Sequence, residues 1–531
     1  MQFNNKKPFP ILLAIACLGC SVQAQTTQPA PPAAQASDEE ASFSVTGFVI
    51  DGENPLPEAL TQSALAPYVG THHGIERLQE AAGALEALLR EQGFGFYRVV
   101  LPPQDIGGVI KLQMFKFTLG TVAIKGNKFF SNDNIVRSLP QLATGSSPNS
   151  YRLARDLSLA NENPSKRANV TFKQGEVADT IDATVDVVDS KTLTGFVQLS
   201  NTGSASTGYN RLTAGVSHTN LFDRDQQGTF TYTTSPSDPG RVHQWGGYYR
   251  APLYQWGGML SAYYTNSSVD SGIVANSINV TGRGEFAGVQ YTYYFAPQGD
   301  YRAFLMVGLD DKNFLNDQIT TLVGGAPLFP NYRTRPITLS YTGRMEKKWG
   351  LWGFNIDYAR NLESGSGNDT ASYAANRAGA SSGWSALRYG VDLTRPLPSN
   401  WLFTTRLRGQ LSGDSLVPGE QFGIGGAQSV RGLTERVLAG DSGLQGNIEF
   451  WTPALAENTR GLLFYDFGRI SNHNNAVLPS ATVTSLGVGV RWSLANSWSA
   501  SLDFGHVLSG MGALPAGSSR NRGHFSLNWR Y

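Results

Sequence analysis

From Leu193 to Tyr531 the chain is a long series of alternating segments with no helical pattern between them. Leu387, Tyr389, Val391 and Leu393 alternate with Arg388, Gly390, Asp392 and Thr394. Leu486, Val488, Val490, Trp492 and Leu494 alternate with Gly487, Gly489, Arg491 and Ser493. Phe230 and Tyr232 alternate with threonines, and Phe403, Leu407 and Leu411 with Arg406, Arg408 and Gln410. Successive side chains of a strand point to opposite faces, so each segment reads as a strand with one apolar and one polar face. A soluble sandwich also alternates. It does not place large aromatics and Leu on one face and Arg, Asp and Gly on the other, strand after strand, without a helix. A membrane barrel does, because one face meets lipid and the other a wet lumen. The segments number about sixteen, an even count as single-chain bacterial barrels require. Each has about 21 residues with its connection, enough for spanning strands of about 9–11. The last segment, 523–531, carries Phe525, Leu527, Trp529 and Tyr531 on one face, which suits barrel closure near an aromatic girdle.

One connection breaks the pattern. Residues 421–443, QFGIGGAQSVRGLTERVLAGDSG, separate the strand-like runs 403–411 and 444–451. Loops this long inside an ordered domain are functional or disordered, and the dense Ser-Val-Arg-Gly core argues against plain disorder. The stretch reads as a loop folded back into the barrel, its inward part spanning 414–440, and held there by Arg431.

Ahead of Leu193 the texture is mixed. Residues 43–116 read β-α-α-β-β: a strand from Phe43, a short helix over 57–68, a helix on Ile75, Leu78, Ala82, Leu85 and Leu89, and a strand pair across Pro102 and Pro103. A second copy fills 117–190. Phe43, Val45, Ile50 and Gly52 map at one fixed offset onto Phe117, Leu119, Ile124 and Gly126, and repetition at a fixed period outweighs any single motif. Its helices cover 132–139 and 151–161 and its closing strands 168–173 and 181–188. The apolar stripes of both copies are core positions.

Residues 1–24 read as a secretory signal, with Lys6 and Lys7 before the apolar run 11–18 and Val22-Gln23-Ala24 as the cleavage site. The apolar run is too short for a spanning helix. Cys17 is a poor first residue for a lipoprotein site at Leu18-Gly19-Cys20. Both cysteines, Cys17 and Cys20, lie in the signal, so after cleavage no disulfide framework or thiolate metal site is available. Residues 25–42 form a Pro/Ala-rich linker. Net charge is +1, which gives no global argument for nucleic acid. Mean hydropathy is −0.23, against a helical membrane protein but not a barrel.

These features resemble the transporter component of two-partner secretion, of the haemolysin secretion/activation type, in the Omp85 superfamily. The residues that carry the resemblance are the paired β-α-α-β-β units, Leu159-Ala-Asn-Glu-Asn-Pro164 leading to Gln174-Gly175, Asn201-Thr-Gly203 and Asn220-Leu-Phe-Asp223. To these are added Ser429-Val-Arg-Gly432, Gly440-Asp441 and Phe464-Tyr-Asp-Phe-Gly468. The resemblance implies two periplasmic POTRA domains, 43–116 and 117–190, and a sixteen-stranded outer-membrane barrel over 191–531. It implies export, without ATP, of one large adhesin- or haemolysin-like exoprotein bearing an N-terminal secretion domain. Outer-membrane lipids and the barrel assembly machinery are further partners, and no cofactor or nucleic acid is expected. It also implies that Val430, Arg431 and Gly432 form a loop tip whose Arg meets the wall motif Phe464, Asp466 and Gly468. In this chain Leu433 stands where the family has an aromatic. Alternation alone also turns Phe464, Asp466 and Gly468 inward and Leu463, Tyr465 and Phe467 toward lipid. A guanidinium inside a barrel needs a carboxylate. Read without the motifs, Arg431 is a solvated loop arginine and Asp466 one more lumen charge.

Glu435 and Asp441 flank the loop and read either as residues that position it or, the favoured reading, as exposed loop charges. His72-His73 has no third ligand at metal spacing and reads as a surface turn, not a zinc site. No Ser–His–Asp order, phosphate loop or carboxylate pair stands out, so no enzyme is expected. Two other readings stay open. An assembly factor for other barrels usually carries more than two such units, and a passive porin needs neither the tandem repeat nor the Arg431/Asp466 motifs.

Overall fold

The computed structural model describes residues 42–204, 207–268, 272–274, 278–280, 282–316, 329–473, 480–494 and 497–531. The expected signal and nearly all of the expected linker lie outside them. Ser42, read as the linker's last residue, already belongs to the first strand, Ser42–Asp51.

Among the described residues sixteen strands close into one antiparallel barrel. They are β1 Leu193–Ser200, β2 Arg211–Leu221, β3 Gln226–Thr234, β4 His243–Leu253, β5 Gly258–Ser267, β6 Gly284–Tyr294, β7 Tyr301–Phe314 and β8 Pro336–Lys347. There follow β9 Gly350–Asn361, β10 Ser385–Pro396, β11 Leu402–Leu411, β12 Ser442–Ala456, β13 Thr459–Ser471, β14 Ser480–Leu494, β15 Trp498–Ser509 and β16 Asn521–Arg530. Tyr332–Thr334 continues β8 along β7. Closure leaves no free edge strand, as a membrane-spanning sheet requires. The last seam is short. β16 pairs with β1 only from Ser526 to Arg530, and above it Asn201 takes over: its side chain donates to Gly523 O at 2.8 Å and accepts from Phe525 N at 2.9 Å. That accounts for the Asn201 motif.

The two faces follow the alternation. Leu463, Leu486, Val488, Leu502 and Phe504 are about half exposed on the outer face, while Phe464, Asp466 and Asp503 are buried on the inner one. Exposed Trp256, Trp349, Trp401, Trp498 and Trp529 ring the rim with the shorter turns, as a membrane interface favours.

The N-terminal domains join the barrel at this rim. In the first, the four strands are ordered Gly70–His73, Ser42–Asp51, Gly108–Lys116, Tyr97–Val100, with helices α1 Glu58–Leu65 and α2 Glu76–Glu91 packed over a core that includes Leu78, Leu85, Ile110 and Leu112. The order is therefore β-α-β-α-β-β, one strand more than β-α-α-β-β. His72 and His73 do not form a turn. They end the extra strand, which pairs antiparallel with Ser42–Val45, and the turn follows at Gly74. Four residues give too little alternation to be read as a strand. The second domain keeps the expected order: Thr118–Lys125, α3 Asn132–Ser138, α4 Ser150–Ala160, Lys166–Gln174 and Thr180–Asp189.

The second domain is bolted to the barrel by the β2–β3 turn. Lys166 Nζ, fully buried, lies 2.7 Å from Asp225 Oδ2 and donates to Asn134 Oδ1 at 2.9 Å. Asp225 also accepts from Tyr254 Oη at 2.7 Å and Asn163 Nδ2 at 3.0 Å. Ser131, the N-cap of α3, donates to Asp223. Two motifs far apart in sequence, 159–164 and 220–223, thus meet at one joint. Beside it, Leu159 and Ala160 of α4 pack on Tyr254, Met259, Tyr294 and Phe304.

Asp156 shares this surface of α4. Its side chain is fully buried, Arg155 donates to Oδ1 at 3.0 Å, and Oδ2 has no partner among the described residues. Burial pushes the carboxyl up to about 6, the Arg155 contact only partly offsetting it. A raised folded-state value means that this group favours the folded form fully below its ordinary value of 3.8, and that this contribution is lost as pH rises through about 6. Asp156→Asn should therefore raise the midpoint of thermal unfolding of the N-terminal domains at pH 7.5 and leave it nearly unchanged at pH 4. An equal gain at both values would rule out ionisation as the cause.

Candidate functional site

Residues 412–441 leave β11 and rejoin at β12 without passing outside the barrel wall. The sequence reading missed the regular structure in them: Phe422–Ile424 and Leu438–Gly440 pair as a small antiparallel hairpin. Three-residue strands rich in Gly leave no periodic signal. The strand after the loop is also longer than expected, beginning at Ser442 and running to Ala456.

The hairpin carries the tip to the wall. Arg431 Nε donates to Asp466 Oδ2 at 2.8 Å and Nη2 to Oδ1 at 2.7 Å, a bidentate pair that the Arg431 backbone N–H reinforces at 3.0 Å. Nη1 lies 2.7 Å from Glu449 Oε1 and 3.8 Å from Asp503 Oδ1. The guanidinium carbon stands 3.5 Å from the centroid of the Phe464 ring, a cation–π contact. Phe464 and Asp466 of β13 are thus both used. Gly468 is used by being small: a Cβ there would lie 2.6 Å from Ile424 Cγ2. Gly432 has φ +95° and donates its N–H to His524 Nε2 at 3.1 Å. It lies so close to Gly505 of β15 that a Cβ on Gly505 would come 2.5 Å from Gly432 N. Val430 is fully buried beside Ile424, Ile470 and Val507, and Leu433 fills the same cluster where the resemblance led one to expect an aromatic.

Two expectations are corrected. The Arg431 site is dry: Asp466 is fully buried and the Arg431 side chain 3% exposed. The loop itself brings the apolar cluster that excludes water, which alternation of the wall cannot reveal. Asp441 is not an exposed loop charge. It is fully buried, held bidentately by Arg377 and by the backbone N–H groups of Leu416 at 2.9 Å and His473 at 2.7 Å. Glu435, partly buried, accepts from Ala427 N at 2.8 Å. Glu449, Asp503, Asn447 and His524 were not singled out from the sequence. All four sit at inward parity on their strands, but parity marks every lumen residue alike, and only the stagger between strands shows which of them stand level with the tip. The closing residues Leu527, Trp529 and Tyr531 are exposed on the outer face and Phe525 is half-buried beside the seam.

Charges near the tip are paired locally but leave one carboxylate in excess. Arg491 holds Asp503 bidentately at 2.8 and 2.9 Å, so two guanidiniums face three carboxylates. Nothing in this arrangement offers a nucleophile beside a base, and among the described residues no group of His, Cys, Asp and Glu could hold a metal ion. The arrangement can hold a loop. It has no group placed for covalent chemistry.

The model of the family described as haemolysin secretion/activation protein ShlB/FhaC/HecB matches residues 180–492, and that of the ShlB-type POTRA domain residues 43–116. The heme/hemopexin transporter protein HuxB of Haemophilus influenzae is 20% identical over 460 residues, covering 82% of this chain and 78% of that protein. The outer membrane transporter CdiB of Dickeya dadantii is 22% identical over 455 residues, with the same coverage. The structure of CdiB from Escherichia coli aligns with a TM-score of 0.72 at 18% identity, over 94% of this chain and 93% of that one. The family match extends over more than half of the chain and takes in both sides of the Arg431–Asp466 contact, and the chain belongs to the ShlB/FhaC/HecB family of haemolysin secretion/activation proteins.

Proposed function

We propose that this chain carries one large partner protein across the outer membrane as the transporter of a two-partner secretion pair, and that Arg431 and Asp466 hold the inward loop in the position that conduction requires. The observation that carries the reading is the family match together with a lumen loop locked to the wall by the matched motifs. The barrel stands in the outer membrane with its POTRA-type domains in the periplasm. The cargo is a secreted exoprotein of adhesin or haemolysin type with an N-terminal secretion domain, and it arrives unfolded. Export needs no nucleotide: folding outside makes return unfavourable. The exposed edges of the periplasmic sheets offer unpaired backbone groups to an extended cargo segment. Membrane lipids meet the outer face, and the barrel assembly machinery inserts the protein. The chain is not an enzyme, and the relatives' transporter names fit that reading.

Deleting residues 43–115 should abolish secretion of the partner while the barrel still inserts, since β16 and its aromatic residues are untouched. The measurements are partner in the medium and a heat-shifted band on a gel. Normal export by the truncated protein would show that the first domain does not read the cargo.

A further inference from the structure

The loop touches more than the wall that holds its tip. Its first leg descends through Leu416 and Val417, both fully buried, to Glu420, which is 2% exposed. Glu420 Oε1 lies 3.0 Å from Lys312 Nζ of β7 and accepts from Thr334 Oγ1 at 2.8 Å. Its Oε2 accepts from Arg388 Nη2 of β10 at 2.9 Å. Gly419 donates to Tyr332 Oη at 3.0 Å, and a Cβ on Gly419 would stand 2.2 Å from the Phe314 ring. Leu416 and Val417 complete a dry cluster with Phe314, Tyr332, Tyr373 and Trp384. Tyr373 belongs to α5, Thr370–Asn376, in the connection between β9 and β10. Arg377, just past α5, grips Asp441 where the loop's return leg ends.

Position around the barrel gives these contacts their meaning. Glu420 reaches β7 through Lys312 and β10 through Arg388, and Gly419 beside it packs on Phe314 of β7. The tip lies against β15, where Gly432 packs on Gly505 and Arg431 is within 3.8 Å of Asp503. In a closed ring of sixteen, β7 and β15 stand eight strands apart. A segment joined to both crosses the lumen from wall to wall. Both ends are charge-paired, and Glu420 is a buried carboxylate held between Lys312 and Arg388, whose side chains are 18% and 32% exposed, so removing its charge leaves two partly buried cations facing each other.

We propose that Glu420 is a positioning residue that forms the second abutment of the loop, and that this end, at the long-loop mouth, closes the pore at rest. The inference rests on the reading of the barrel as a conduit, but its test needs no cargo. Arg431 then sets the loop's place in the conducting barrel, while Glu420, Lys312 and Arg388 keep the resting barrel shut. Release of the first leg frees the α5 side of the mouth without loosening the tip.

The experiment is single-channel recording of the purified full-length protein in planar bilayers. Glu420→Gln keeps the shape and loses the charge. It should raise the open-to-closed ratio by at least about tenfold, as loss of a charged hydrogen-bond network implies, with the heat-shifted band unchanged. Gly419→Val unseats the same leg by crowding Phe314 and alters no charge, and it should open the pore likewise. A merely structural role would reduce the number of inserted pores and leave the ratio in each pore alone. If Glu420→Gln fails to insert, Gly419→Val decides. Resting behaviour like that of the unaltered protein in every variant that inserts would overturn the proposal. If the pores open as expected while the unaltered chain exports no partner in cells, the abutment stands and the export reading falls.

Discussion

Arg431→Ala is expected to abolish export while leaving the barrel inserted and heat-modifiable. The side chain is the only cation within 4 Å of Asp466 among the described residues, and it also meets Glu449. Without it, Asp466, Glu449 and Asp503 are left facing Arg491 alone, and Asp466 keeps only the Asn447 side chain, at 2.8 Å, and the backbone N–H of residue 431. Because the site is dry, the cost is that of breaking a buried pair, about 3–5 kcal/mol, rather than the smaller one that a wet lumen would allow. That energy falls on the seat of the loop. The wall strands keep their closed hydrogen bonding, so the barrel should survive and the tip should leave. Asp466→Ala should have the same phenotype. The double variant should be no worse than either single one, because each removes the same contact, and it should be slightly better than Arg431→Ala, in which the acid stays buried alone. The measurements are secreted partner and the fraction of protein in the heat-shifted band. Additive losses, or normal secretion by Arg431→Ala, would break the pairing on which the reading of the site depends.

The barrel was legible because a membrane wall has only one sequence solution, strict alternation with lipid on one side, and Leu463, Asp466 and Leu486 fall on the faces that alternation assigns. The repeat was legible from four residues at one offset. The Arg431–Asp466 pair needed both parity and motif. What escaped notice has a common cause. Glu420, Asp441, Glu449 and Asp503 acquire their meaning from a loop crossing a lumen, and the partners lie at sequence distances of 18 to 108 residues, as in Arg431–Glu449 and Lys312–Glu420. Local pattern holds no information at such range. Asp441 looked exposed because it stands among Gly and Ser, as solvated loop charges do. Its burial comes from Arg377, which follows a helix in another loop.

Lys166→Met should loosen the second N-terminal domain from the barrel and reduce export as strongly as the loss of the tip. Lys166 and Asp225 are 0% and 3% exposed, and the ammonium also lies 5.1 Å from the Phe130 ring centroid. Methionine matches the length of the lysine stem but leaves Asp225 buried with only the Tyr254 hydroxyl and the Asn163 amide as side-chain donors, again about 3–5 kcal/mol. Asp225→Asn keeps an acceptor for Tyr254 or Asn163 but strands the buried ammonium, which retains only Asn134. Each single change should therefore expose the joint to added protease, with cleavage between the domain and β1, while the barrel core stays resistant. The two changes together remove both charges and keep the polar donors partly served, so Lys166→Met/Asp225→Asn should be more resistant than either single variant. That sign is the decisive outcome. The β2–β3 turn holds Phe222, Asp223 and Asp225 at φ of +56°, +53° and +57°, conformations that non-glycine residues keep only where surrounding contacts impose them. Asn220 steadies the turn from within, donating to Asp223 Oδ1 at 2.9 Å and accepting from Asp225 N at 3.0 Å, so the turn should outlast the single changes, and protease resistance and export should recover together in the double variant. If the double variant is instead the most sensitive of the three, the charges do not act as a pair and the joint is held by the α4 face on Tyr254, Met259 and Phe304.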